Sequence, residues 1–290
     1  MTVAFSLALF VGCGDSKPAG GGSGTSDGSA ATGSSDSKPA ASDGAGESVA
    51  EDVPKGEWGT LRGRFVYVGD PPEAEKLNID KDLEVCGKHD LRNQSIVVGA
   101  NGGLANVLIW CLDKDVETHP DFAADAAAEV ELDNKDCHFV PHVVALHAGQ
   151  TLLVKNSDPV VHNSDLPFRN NTPVNPSIPA GSMESISLQR AERMPIEAKC
   201  SIHRWMSGHV MVTDNPYFDV SAEDGSFEIA NLPTGLKLEF RAWHEVPKNV
   251  TQVELKGKPT TWKTGKFETV IRPGDNDLGD IRVDGKLFTR

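Results

Sequence analysis

The sequence predicts an all-β protein of antiparallel sandwiches, one Greek-key sandwich set inside a second, smaller one. Three observations carry this. Short alternating apolar runs recur from Glu57 onward, Gly, Pro, Asn and Asp punctuate them, and no long stretch has the 3.6-residue period of an amphipathic helix. A length of 290 residues also suits about two domains.

The N-terminus lies outside both sandwiches. Residues 3–12, "VAFSLALFVG", form an apolar run too short to span a bilayer as a mature helix and suited to the apolar core of an export signal. The run ends at Cys13, and "FVGC" resembles a bacterial lipoprotein box, although no Lys or Arg precedes it and Phe10 stands where Leu is usual. The resemblance implies a signal peptide over 1–13, an acylated Cys13, and an exported, membrane-anchored protein, periplasmic or at the cell surface. A plain export signal or an apolar tail is the alternative. Residues 14–56 are almost wholly Gly, Ser, Ala, Asp and Pro; they bury too little apolar surface to offset chain entropy and read as a flexible tether.

Strands are expected at 60–69 ("TLRGRFVYVG"), 95–98, 105–112 ("ANVLIWCL"), 142–156, 184–190, 208–214, 225–233 and 236–245. Residues 120–130 are helix-permissive and read as one short helix or a loop. Composition narrows the function. A net charge of −14 argues against nucleic acid, which requires a basic face.

The chemistry concentrates in "KCSIHRWMSGHVMV", residues 199–212, where Cys200, His203 and Met206 stand three apart. A mononuclear copper site that cycles between oxidation states uses two imidazoles, a thiolate and a weak axial thioether. The missing imidazole is His162, presented where the strand-like run "TLLVKNSDPVVHNSD" ends in a loop. Taken singly, Cys200 could be a small buried apolar residue, His203 a surface group and Met206 core. No His-x-His pair for a trinuclear cluster, no second loop cysteine for a binuclear site and no Cys-x-x-Cys-His for haem occurs. One copper with no position left for a substrate points away from an enzyme and toward electron transfer.

In the order of its parts, 129–214 resembles a cupredoxin, the type 1 or blue copper fold. The parts are "HAGQTLLVKN", the His162–Asn163 pair, "IPAGSMESISL" and the short Cys-x2-His-x2-Met loop, and they are similar to amicyanin and pseudoazurin. The resemblance implies His162, Cys200 and His203 as equatorial ligands and Met206 as the axial one. It also implies that Asn163 ties the two ligand loops together and that an exposed edge of His203 is the electron exit. Ala198 stands two before the cysteine, where many such proteins have an aromatic residue. Implied partners are redox proteins, a donor and an acceptor. The competing functions are a cell-surface binding or structural sandwich, and copper storage or delivery.

Residues 57–128 and 215–290 make the other sandwich. "GTLRGRFVYVGDPP", the Asp224–Gly225 turn and "NLPTG" resemble a carboxypeptidase-regulatory-like, transthyretin-like domain, of the immunoglobulin-like sandwich type, implying seven strands and a scaffold role. Cys86 and Cys137 are a candidate disulfide joining the two modules, and Cys111 reads as a buried strand thiol. His138 and His142 share a strand face, but with no evident carboxylate partner they read as solvated or core-lining rather than as a second metal site. Trp243 to Glu245 read as a strand end covering the core.

Overall fold

In the computed structural model, residues 53–124 and 126–288 are described. The acylation expected at Cys13 and the tether through residue 52 lie outside them. The chain is nearly all β. Its early strands are β1 (Trp58–Val68), β2 (Leu108–Cys111), β3 (Glu129–Lys135), β4 (His138–Val140), β5 (Val143–His147) and β6 (Thr151–Asn156). Next come β7 (His162–Asn163), β8 (Ser177–Ile178), β9 (Met183–Ser187), β10 (Ile196–Lys199), β11 (Ser207–Thr213) and β12 (Phe218–Val220). The chain finishes with β13 (Ser226–Pro233), β14 (Lys237–Trp243), β15 (Gln252–Leu255), β16 (Lys258–Thr261), β17 (Lys266–Val270) and β18 (Gly274–Asp284).

A five-stranded sheet, β13-β1-β18-β15-β16, faces a four-stranded sheet, β12-β2-β14-β17. Their inner faces meet in one core that includes Leu61, Phe65, Ile109, Phe240, Ile281 and Val283. Alternation explains the sorting: along β2, Ile109 and Cys111 enter this core while Leu108 and Trp110 point the other way. The sandwich therefore has nine strands rather than the expected seven. The turn at Asp224–Gly225 forms as expected, with Gly225 at a φ of 85. A Cβ at Gly225 would stand 2.1 Å from the Phe65 carbonyl oxygen, so no other residue fits there.

Between β2 and β12 the chain builds a second pair of sheets, β10-β11-β5 and β4-β3-β6-β9, with the short ribbon β7-β8 beside them. Leu132, Phe139, Leu146, Leu152, Val210 and Val212 fill the core of this second pair. The antiparallel expectation is corrected here and in the first sandwich. β1 runs parallel to β18, β5 to β11 and β3 to β6. The run 142–156 is two strands, β5 and β6, because Gly149 breaks it with a φ of 104. Residues 120–130 hold only a one-turn helix, Pro120–Ala123, before β3 begins. No strand forms at 95–98; Val98 makes an isolated bridge to Leu104.

A third apolar cluster, Leu108, Trp110, Val143, Met211 and Trp243, lies between the outer faces of β2 and β14 and those of β5 and β11. It joins the two sandwiches, and a disulfide between Cys86 and Cys137 adds a covalent link. Trp243 is buried in this cluster, not at the surface.

Candidate metal centre

The hairpin loop between β10 and β11 carries Cys200, His203 and Met206. Its geometry comes from its own backbone: the Met206 N–H donates to the His203 carbonyl at 2.9 Å, and the Cys200 N–H donates to the Met206 carbonyl at 3.3 Å. His162 arrives on β7. Reciprocal hydrogen bonds between Asp165 and Lys199, of 2.8 and 3.1 Å, hold that segment against the end of β10.

The side chains converge. Cys200 Sγ lies 3.9 Å from His162 Nδ1 and 3.7 Å from His203 Nδ1, and the two Nδ1 atoms are 2.9 Å apart. Metal–nitrogen and metal–sulfur bonds of about 2.0 and 2.3 Å meeting at a trigonal angle put sulfur about 3.7 Å from each nitrogen. The observed sulfur–nitrogen separations match this, and the nitrogens sit somewhat closer. Both imidazoles and Cys200 are buried, as is the Met206 side chain, which packs in the same cluster as Cys200.

Two carboxylates that sequence reasoning missed decide the tautomers. His162 Nε2 lies 2.9 Å from Asp158 Oδ2, and His203 Nε2 lies 2.7 Å from Asp82 Oδ2. A carboxylate only accepts, so each Nε2 carries the proton and donates outward. Each Nδ1 then turns a lone pair inward, toward the other Nδ1 and the sulfur. Three lone-pair donors facing one another need a proton or a cation among them, and a nitrogen–nitrogen–sulfur set suits copper or zinc. Asp158 is itself held by the N–H groups of Asp136 (2.7 Å) and Cys137 (2.9 Å). Those bonds and the His162 hydrogen bond keep its carboxyl below the usual range, although burial pushes the other way.

The same balance runs through the ligand candidates. Burial opposes charge on His162, yet the Asp158 hydrogen bond and then Cys200 outweigh it and raise its pKa to about 9. Burial lowers His203, which Asp82 only partly offsets. Burial would also raise the Cys200 thiol; the His162 imidazole and nearby main-chain N–H groups more than compensate and bring it below the ordinary thiol range. Without an ion these shifts favour a His162 imidazolium beside a Cys200 thiolate, and a bound cation would take the place of that proton.

Asn163 bridges the two loops. Its Oδ1 accepts from the Ser201 N–H at 2.8 Å and the Ile202 N–H at 3.1 Å, and lies 3.4 Å from Cys200 Sγ. The expected exposed edge of His203 is corrected: the ring is 0% exposed. Asp82 caps its outer nitrogen, and Trp205 packs on its face with ring centroids 5.0 Å apart. Asp158 precedes His162 by four residues and could have been suspected from "SDPVVHN". Asp82 is 121 residues away from His203, and no local pattern betrays it.

His142 lines the core, one of the two placements expected for it, but the expectation that it lacks a carboxylate partner is corrected. It is buried and meets Glu245.

No protein-family model and no curated protein matches the chain. Several solved structures match part of the chain. A purple cupredoxin from Nitrosopumilus maritimus is 22% identical, covering 30% of this chain and 99% of its own, at a TM-score of 0.25. Amicyanin from Paracoccus versutus is 19% identical over 36% of this chain and 96% of its own, at a TM-score of 0.26. The copper-containing nitrite reductase of Thermus scotoductus is 21% identical over 29% of this chain, at a TM-score of 0.27, and the match spans only 22% of that enzyme.

Proposed function

We propose that the chain is an exported mononuclear copper protein of the cupredoxin class that passes single electrons between redox protein partners and is not an enzyme. The observation that carries this reading is the inward convergence of two Nδ1 lone pairs and one cysteine sulfur, with both outer nitrogens committed to Asp158 and Asp82. His162, Cys200 and His203 would hold the ion, and Met206, at the end of the same loop, would supply the weak fourth donor. Copper, when bound, supplies reversible one-electron chemistry.

The chain's own residues do the rest. Asn163 ties the two ligand loops so that the donor positions change little between oxidation states. Asp158 and Asp82 fix ring orientation and raise imidazole basicity. Burial of all three donors excludes water and competing ligands. The Cys86–Cys137 disulfide supports an oxidising compartment outside the cytoplasm, in keeping with an export signal and an anchor at Cys13.

Addition of Cu(II) to the metal-free protein is expected to produce an intense thiolate-to-copper band at about 600 nm. Cys200→Ser abolishes the band, whereas Met206→Leu keeps it and raises the reduction potential. A folded protein that stays colourless would overturn electron transfer in favour of a binding or structural role. A colourless Cu(I) complex that cannot be oxidised reversibly would favour copper storage or delivery.

A further inference from the structure

We propose a second cation site, built from His142, His209 and Glu245 at the seam between the two sandwiches, that takes a divalent ion of the zinc class. The histidines come from one sandwich: His142 stands just before β5, and His209 lies on β11. Their backbones are joined, the His209 N–H donating to the His142 carbonyl at 2.8 Å. Glu245 comes from the other, two residues past the end of β14. Strand alternation places His209 on the same face as Met211, the outward face that packs against β14, so the cluster continues the apolar seam of Trp243 and Met211.

The donor chemistry argues for a cation. One ligand atom from each residue lies within 4.8 Å of the others. Glu245 Oε2 hydrogen-bonds His142 Nε2 and stands 3.3 Å from His209 Nδ1. The second pair does not complete a hydrogen bond, and His209 Nδ1 is buried without a hydrogen-bond partner among the described residues. The side chains of His142, His209 and Glu245 are 7%, 6% and 12% exposed, so water contributes little. A buried imidazole nitrogen with no partner is destabilising, and here it faces a carboxylate oxygen that a metal would share with it.

Two imidazoles and one carboxylate, with no sulfur, select borderline divalent ions over Ca²⁺ or Mg²⁺, which prefer all-oxygen shells. A small cavity of about 80 Å³ reaches His142, bordered also by His138, Arg92 and Trp205. His138 Nε2 is also buried without a hydrogen-bond partner among the described residues. A bound ion would pin Glu245 of one sandwich to two histidines of the other. The site shares no ligand with Cys200, His162 or His203, and it stands whether or not those residues hold copper.

Elemental analysis after equilibration with zinc and removal of free metal tests the proposal. The full chain should retain one more zinc per molecule than Glu245→Gln, and the same difference should persist between Cys200→Ser and the double variant. Zinc should also raise the melting temperature of Cys200→Ser and leave that of Cys200→Ser/Glu245→Gln unchanged. Crystals of the full chain soaked in zinc give a reading independent of variant folding: an anomalous peak bounded by His142, His209 and Glu245 supports the site. Equal zinc content with and without Glu245, or no peak there, overturns it.

Discussion

Cys111 and Cys200 are both buried thiols, and their surroundings drive them in opposite directions. Around Cys200, hydrogen-bond donors outweigh burial and favour the thiolate; Cys111 lies in an apolar core where burial dominates and its pKa rises to about 12 from an ordinary value of 9.0. The folded protein therefore keeps a proton on Cys111 at alkaline pH that the unfolded chain releases. Stability from this group is complete below pH 9 and declines as the pH rises toward 12, at about 1.4 kcal/mol per pH unit. Denaturant titrations at pH 8 and pH 10.5 should show the parent losing about 2 kcal/mol more than Cys111→Ala; equal losses would contradict the assignment. At this scale the sequence was legible where chemistry is packed closely along the chain. Cys200, His203 and Met206 fall within seven residues, and Asn163 adjoins His162. Asp82, Asp158 and Glu245 escaped notice because acidic residues are common in so acidic a chain, and only the fold selects the three that meet a histidine.

The segment that carries Asp82 adds something that the loops of the inner sandwich do not contain. It belongs to the long connection between β1 and β2, and its one-turn helix Cys86–Lys88 starts from the Asp82 carbonyl, which accepts the N–H groups of Val85 (2.9 Å) and Cys86 (2.8 Å). The disulfide to Cys137 then fastens that turn next to β4. So the surrounding sandwich supplies the lid over His203, which explains why the exposed edge expected for a lone copper domain is absent. In copper-loaded protein, Asp82→Ala should raise the reduction potential, because loss of the anion and of the Nε2 hydrogen bond disfavours the more charged Cu(II) state; voltammetry showing an unchanged or lowered potential would contradict this. Element by element, alternation revealed β1, β2, β11, β13 and β14. It missed β15 to β18, whose residues are largely polar and half-exposed, so that little alternation is visible until Ile281 and Val283. Parallel pairing was hidden for a different reason: strand direction depends on partners far away in the chain and leaves no trace in local pattern.

Across the whole molecule, two cores are bound into one unit by the seam of Leu108, Trp110, Val143, Met211 and Trp243 and by the disulfide. Such coupling predicts a single cooperative unfolding transition in calorimetry. Trp243→Ala should lower its midpoint, at a cost of about 3–5 kcal/mol, while two resolved transitions in the parent protein would show that the seam does not couple the cores. The expectation that one sandwich interrupts another came from the split of the "GTLRGRFVYVG" and "NLPTG" runs around the Cys200–Met206 motif, but the seam left no such sign, since "VLIWCL" looks the same whether one face or both are buried. β1 pairs along its length with β18, from Gly59 opposite Gly274 to Val68 opposite Asp284. During synthesis the first strand must therefore wait for the last, some 200 residues later, or roughly 10–40 s at ribosomal rates of about 5–20 residues per second. All strands of the inner sandwich emerge within that interval, so the order of translation lets the inner domain close first and leaves the outer sheet to be sealed by the final stretch of chain.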